Sequence, residues 1–197
     1  MAEKRIGRTV LKAGAAVVLG LALAVLSALF FTSPWWIEYP IRDGAWRASA
    51  RMGNAGDSMY LRAYTARIAW FSNDPDANVY YEARVDSAGQ TLDPHCSYEL
   101  AGGPLPARWW SVTAYAGAHW IANPQNRYSY TSTNIAYEAG QQWAIEAGPR
   151  PKAGNWLPTA GAKGRLTFIL RLYDLRPGMS AMAATLPVPR IERRDCS

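Results

Sequence analysis

Residues 165–173 read Arg-Leu-Thr-Phe-Ile-Leu-Arg-Leu-Tyr. Leu166, Phe168, Leu170 and Leu172 take every second position, against Arg165, Thr167, Ile169, Arg171 and Tyr173. A period of two places the leucines and Phe168 on one face of a strand. Two other stretches repeat the pattern. Val79, Tyr81, Ala83 and Val85 alternate with Tyr80, Glu82, Arg84 and Asp86, and Trp110, Val112 and Ala114 alternate with Trp109, Ser111, Thr113 and Tyr115. Each reads as a strand with one buried face. Weaker strands are expected near 95–100, 127–137, 142–147 and 183–193. Turn clusters separate them, among them Gly102-Gly103-Pro104, Asn123-Pro124-Gln125-Asn126 and Gly148-Pro149-Arg150-Pro151. The spacing leaves no room for the crossover helices of a parallel α/β sheet. The fold expected is mainly β: an antiparallel, jelly-roll-like β-sandwich with one short amphipathic helix, preceded by an N-terminal transmembrane helix.

That amphipathic helix is expected over 58–71, with Asp57 as N-cap and Leu61, Tyr64, Ile68 and Phe71 as its apolar stripe. Asn73-Asp74-Pro75 ends it. Ahead of it, Pro34, Pro40, Gly44, Gly53 and Gly56 interrupt any longer pattern, so residues 32–56 read as a tether.

Residues 10–31 read Val-Leu-Lys-Ala-Gly-Ala-Ala-Val-Val-Leu-Gly-Leu-Ala-Leu-Ala-Val-Leu-Ser-Ala-Leu-Phe-Phe, with Lys12 the only charge. As a helix this segment rises about 33 Å, enough for a hydrocarbon core of about 30 Å. Lys12 can snorkel to the interface, and Trp35, Trp36 and Tyr39 suit an aromatic belt. A cleaved signal peptide is the rival reading. Its apolar core is normally about 7–15 residues long with a small-x-small site after it. The longer run here, followed by Thr-Ser-Pro-Trp-Trp, favours an uncleaved anchor. Ala16, Gly20, Ala24 and Ala28 recur every four residues, a spacing that lets such helices approach closely.

The formal net charge is +6, from 21 Lys+Arg and 15 Asp+Glu in 197 residues. Half of it lies in the first dozen residues, where Lys4, Arg5, Arg8 and Lys12 face only Glu3. The positive-inside rule therefore places the N-terminus in the cytoplasm and the residues after about 35 across the membrane. The division expected is a basic terminus (1–9), the anchor in the lipid bilayer (10–31), the tether (32–56) and the sandwich (57–197). The other bases are scattered among acids, so no nucleic-acid footprint is present.

The chain has two cysteines, Cys96 and Cys196. In an exported domain they are expected to pair and pin the C-terminal tail to the sheet. Two histidines, with no CxxC, HxH or HExxH spacing, give no metal centre. No GxSxG elbow or phosphate loop occurs, and no cofactor is implied. Ser111 and His119 are the one pair that could serve a hydrolase, and nothing in their spacing demands it. Glu82, Glu99, Glu138 and Glu146 are read as outward residues of strands. Nine tryptophans can fill a core or offer stacking surfaces.

An ordered set of short motifs runs through the β region: Asp86-x-x-Gly89-x-x-Leu92, Tyr98, Arg108-Trp109-Trp110-Ser111-x-Thr113-x-Tyr115, Asn123-x-x-x-Arg127-x-Ser129, Asn155-Trp156-Leu157-Pro158 and Phe168-x-Leu170-Arg171-Leu172-Tyr173. In order and spacing, over about 57–195, it resembles the bacterial domain of unknown function 1214. The resemblance implies a jelly-roll-like β domain. It also implies a companion, the domain of unknown function 1254, fused ahead in longer relatives. A separate 1254-type protein is therefore the partner to expect. If the matched residues form a site, it gathers Trp109, Asn123, Arg127, Asn155, Trp156, Arg171 and Tyr173. With the bacterial setting that the resemblance implies, the leading reading is a single-pass protein of the bacterial inner membrane whose periplasmic sandwich docks a protein partner or serves an envelope structure. A carbohydrate- or small-ligand-binding module is second, and a hydrolase-like enzyme third.

Overall fold

The computed structural model describes residues 2–33, 41–48, 56–67 and 77–196. The first segment is one helix, α1 (Ala2–Phe31), whose Ile6–Phe31 stretch is long and apolar enough to cross a membrane. Its side chains from Ile6 onward are exposed all round, as suits either an anchor or a signal sequence.

The remaining strands are β1 (Ile41–Asp43), β2 (Trp46–Ala48), β3 (Asn78–Ala83), β4 (Cys96–Gly102), β5 (Ala107–Ala116), β6 (His119–Trp120), β7 (Ser129–Thr131), β8 (Trp143–Gly148), β9 (Trp156–Pro158), β10 (Leu166–Leu175) and β11 (Arg190–Cys196). They form two sheets. The larger runs β1-β2-β3-β10-β5-β6 with β7 also on β5, and the smaller runs β11-β4-β8-β9. All pairings are antiparallel except β8–β9, which is parallel, so the second sheet is mixed. The expected mainly β, two-sheet build is present. The jelly-roll pattern, eight strands in two Greek keys, is a finer statement than these strand orders make.

The core lies between the sheets. Leu166, Phe168, Leu170 and Leu172 are fully buried, as their alternation predicts. Phe168 meets Tyr98 edge-on at 6.1 Å, and Trp110 stacks on Trp143 at 4.6 Å. The buried indoles also find acceptors: Trp46 donates to the Pro189 carbonyl (2.6 Å) and Trp143 to that of Gly103 (2.9 Å). A Cβ on Gly102 would lie 2.6 Å from the Trp143 ring, so a side chain there would displace the stack.

Three expectations change. The stretch read as a tether contains the β1–β2 hairpin, which pairs with β3 and buries Trp46. Gly44 turns it with φ +55, a conformation glycine adopts at no steric cost. At the start of the helix α2 (Met59–Arg67) the Leu61 N–H donates to Ser58 Oγ (3.3 Å). Tyr64 and Thr65 are its buried residues; Ile68 and Phe71 lie outside the described residues. Of 127–137 only Ser129–Thr131 is strand. Of 183–193, the first part belongs to a 3-10 turn, Ser180–Thr185, and the strand starts at Arg190.

The motif residues Asp86 and Gly89 form a turn, in which the Gly89 N–H donates to the Asp86 carbonyl (2.9 Å). Asp86 Oδ1 accepts the N–H groups of Ala88 (3.0 Å) and Gln90 (2.9 Å), while Oδ2 pairs with Arg193 (3.1 Å). Cys96 and Cys196 are bonded, joining β4 to the end of β11.

Candidate functional site

The strand register sets what stands beside what on the outer face of the larger sheet. Arg171 in β10 pairs with Tyr80 of β3 and Ser111 of β5; Ile169 pairs with Glu82 and Thr113; Thr167 pairs with Tyr115. These are the residues of the opposite parity to the core leucines. They were expected to face solvent, yet Tyr80, Glu82, Ser111, Thr113, Thr167 and Ile169 are all buried. They floor a cleft of about 900 Å³. Tyr64 and Arg67 of α2 form one wall; His119 and Trp120 of the β5–β6 hairpin, with Tyr128, form another. The volume falls in the range of small-molecule sites, about 300–1,000 Å³.

Arg171 lies at the centre. Its guanidinium donates to Thr113 Oγ1 (3.2 Å) and to the Tyr115 hydroxyl (2.9 Å), and stands 5.7 Å from the centroids of the Tyr80 and Tyr115 rings. Among the described residues no carboxylate lies within ion-pair reach of it. The nearby acid is already taken: Glu82 holds Arg47 on one oxygen (2.9 Å) and Arg84 on the other (2.6 Å). Glu82 is thus a buried ion-pair centre and not the outward residue expected. Tyr80 donates to the Tyr173 hydroxyl (3.0 Å). Burial raises the Tyr80 phenol well above its ordinary range, the Tyr173 bond adds to that, and Arg171 opposes it. Tyr80 therefore stays neutral at physiological pH and leaves the Arg171 charge uncompensated.

The seven expected site residues separate into two groups. Arg171 and Tyr173 line the cleft, and Trp109 packs beside it on the Tyr173 ring at 5.2 Å. The other four have local roles, Asn123, Arg127 and Asn155 in loops and Trp156 at the start of β9. Asn123 donates to the carbonyls of Ile121 and Arg127 (2.9 Å each) and accepts the Arg127 N–H (2.9 Å), closing its own turn. Arg127 covers the Tyr130 ring at 4.9 Å, and the Tyr130 hydroxyl reaches the Trp156 carbonyl (3.2 Å). Trp156 donates to the Gly148 carbonyl (3.1 Å). Asn155 latches three segments: its amide donates to Ala136 and Ala144 carbonyls (2.9 Å each), and its oxygen accepts the Ala136 N–H (2.8 Å).

Asn155→Asp is therefore a stability variant. The new carboxylate faces two carbonyl oxygens that have lost their donor. Denaturant unfolding is expected to show a loss of about 2 kcal/mol; a neutral result would mean the latch is not formed.

The residues that reasoning from the sequence missed are Tyr80, Thr113, Tyr115, Thr167 and Tyr128. The available signal was parity. Ser111, Thr113 and Tyr115 share one phase, as do Thr167, Ile169 and Arg171, and both phases are richer in hydroxyls and rings than a solvated face requires.

The Ser111–His119 pairing is not made. Ser111 sits on β5 while His119 pairs with Ala116, five strand positions or about 17 Å further along. Among the described residues no hydrogen bond joins them, and no group of three or more His, Cys, Asp or Glu could hold a metal.

A second titratable group lies on the outer face of the smaller sheet. Glu146 pairs across strands with Glu99. Burial raises the Glu146 carboxyl and Glu99 adds to this, while Lys152 and Arg194 oppose it. The folded state thus holds the proton more tightly than the unfolded chain. That stability is present at low pH and is lost as pH rises through the raised value. Glu146→Gln is expected to raise the Tm at pH 7 by about 2 °C, since solvent screens part of the effect, and to change nothing near pH 4. A gain of the same size at both pH values would discount the titration.

Two solved structures are similar to the chain to different degrees. The crystal structure of the VPA0106 protein from Vibrio parahaemolyticus matches with a TM-score of 0.57 and 20% identity over 74% of this chain and 39% of that one. That of an uncharacterised protein from Burkholderia cenocepacia matches with a TM-score of 0.43 and 17% identity over 86% of this chain and 40% of that one. The chain thus spans about two fifths of the length of each. No curated protein matches it. The family described as protein of unknown function (DUF1214) matches residues 77–177, more than half of the chain, and the chain belongs to that family.

Proposed function

We propose that the chain is a membrane-anchored, exported β-sandwich that binds a small anionic ligand in the cleft around Arg171. The observation that carries this is Arg171 itself. A half-buried guanidinium costs free energy to desolvate, and proteins normally pair such a group with an acid. Here two hydroxyls orient it, two tyrosine rings flank it, and no described carboxylate reaches it. A planar fork of donors held this way suits a carboxylate or a phosphate, which it can bind through two parallel hydrogen bonds.

The surroundings support the sign and the class. Three arginines and one glutamate line the cleft, so its field favours anions. Tyr64, Tyr115, Trp120 and Tyr128 add faces that can stack on a sugar ring or a glycerol-like chain. The cleft shifts the weight from the partner-docking reading of the sequence to the ligand-binding one. Export is supported by the basic residues ahead of the apolar helix and by the Cys96–Cys196 bond.

The test is a titration of the full chain in detergent with glucose, glucuronate and glycerol phosphate, following the fluorescence of Trp109 and Trp120 beside the cleft. The charged compounds are expected to bind at least about ten-fold more tightly than glucose, a difference of about 1.4 kcal/mol. Equal affinities for all three, or none, would reject the proposal.

A further inference from the structure

The end of the apolar helix and the cleft meet through α2. Phe31, the last residue of α1, sets its ring 5.0 Å from that of Tyr60, at the start of α2. At the other end of α2, Arg67 donates to the Thr32 carbonyl (3.4 Å). Between them Tyr64 is buried, and Tyr64 and Arg67 both line the cleft. Tyr60 and Tyr64 are one turn apart, about 6 Å along the helix. The apolar stretch Ile6–Phe31 has 26 residues, about 39 Å of helix against a hydrocarbon core of about 30 Å. Its end, with Phe31 and Thr32, therefore lies in the headgroup layer when the helix spans a bilayer. The same short helix that touches this layer walls the cleft.

Resting on the reading of the cleft as an anion site, we infer that its ligand is the head of an anionic phospholipid, a phosphoester carrying hydroxyls, with the acyl chains left in the bilayer. The lining fits a head and not a tail. It is mostly arginines, hydroxyl residues and aromatic rings, with Ile169 the aliphatic side chain of its floor, and its one acid, Glu82, is already held by Arg47 and Arg84. An acyl chain would leave those polar groups without partners, whereas a phosphate with hydroxyls satisfies them. Arg171 takes the phosphate at the floor. Arg67, on the side of α1, extends the positive charge towards the bilayer. Tethering also raises the encounter rate: a cleft held at the surface meets lipid heads at an effective concentration in the millimolar range without new contacts.

The experiment uses the full chain in neutral maltoside micelles. It is titrated separately with short-chain phosphatidylglycerol and with glycerol phosphate, reading the fluorescence of Trp109 and Trp120. Wild type is expected to reach half-saturation with the lipid at least about ten-fold below the soluble phosphate. Arg171→Met is expected to raise the lipid value by about a hundred-fold or more. Tyr115→Phe keeps the charge and the ring and removes only the hydroxyl that orients the guanidinium; it is expected to raise it by about three-fold. If Arg171→Met fails to fold, Tyr115→Phe decides. Equal half-saturation by lipid and soluble phosphate would overturn the lipid assignment and leave the anion cleft standing. A lipid response unchanged in both variants would place the lipid on the outer surface and overturn it too. No response to either compound from folded protein would overturn both readings.

Discussion

Arg171→Met is expected to abolish anion binding in the cleft, by about a hundred-fold or more in Kd, while leaving the sandwich folded. A hundred-fold is about 2.7 kcal/mol, within what loss of a bidentate, partly desolvated guanidinium contact removes. The small effect on folding follows from the same geometry. Arg171 neutralises no carboxylate among the described residues, so its removal orphans no buried acid, the costly event when a buried pair is broken. Methionine retains the apolar stem that packs between Tyr80 and Tyr115. Thr113 and Tyr115 lose a donor to their oxygens, which a water in the vacated space can replace. The expected change in stability is about 1 kcal/mol or less. Glu82 is the contrast. It lies opposite Ile169 in the same cleft, but Glu82→Gln would leave Arg47 and Arg84 facing a neutral amide at 4% exposure. A variant there confounds folding with binding. If Arg171→Met stays folded and binds anions like the wild type, Arg171 is not the anion's partner and the ligand reading fails; if it unfolds, binding by Tyr115→Phe decides.

Strand alternation was legible because burial follows it. Asn78–Ala83, Ala107–Ala116 and Leu166–Leu175 coincide with the three best periodic stretches to within a few residues. Alternation gives a strand two faces but does not say what lies over the second. The hydroxyl-rich face of β10 and β5 was read as solvated, and α2 and the β5–β6 hairpin cover it instead. The β1–β2 hairpin escaped notice for another reason. Three-residue strands carry too few alternations to be recognised, and Gly44, which makes the turn, also reads as linker punctuation. The site was half legible. Of the motif residues the structure brings Arg171, Tyr173 and Trp109 together, because a strand register joins them. The motifs placed Asn123, Arg127, Asn155 and Trp156 there as well, although those polar groups satisfy nearby backbone. Asn155, with its amide committed to Ala136 and Ala144, is the clearest case. A polar motif in a turn records a need for hydrogen bonds, and whether backbone or ligand meets that need depends on contacts 10–20 residues away.

Reduction of the Cys96–Cys196 bond, or Cys196→Ser, is expected to lower stability by about 2–4 kcal/mol, or about 5–15 °C in Tm. The two residues are 100 positions apart, so the bond removes much of the unfolded chain's freedom. The chain-entropy model sets an upper figure of about 4.7 kcal/mol for such a loop. The folded state is expected to change little. Ile191 is fully buried in β11, and Arg193 holds Asp86 (3.1 Å) and donates to the Thr91 carbonyl (2.6 Å), so the strand stays paired when the sulfurs part. The effect therefore acts through the unfolded chain. Thermal melts with and without reductant measure it, and near-UV dichroism below the transition should be unchanged. The same bond bears on where the domain resides. Alkylation of the protein in intact membranes, before lysis, is expected to find neither thiol free, because only an oxidising compartment maintains the bond. Two reactive thiols in protein made at natural levels would place the sandwich on the reducing side. The orientation proposed from Lys4, Arg5, Arg8 and Lys12 would then be reversed, and with it the leaflet from which a lipid head could enter the cleft.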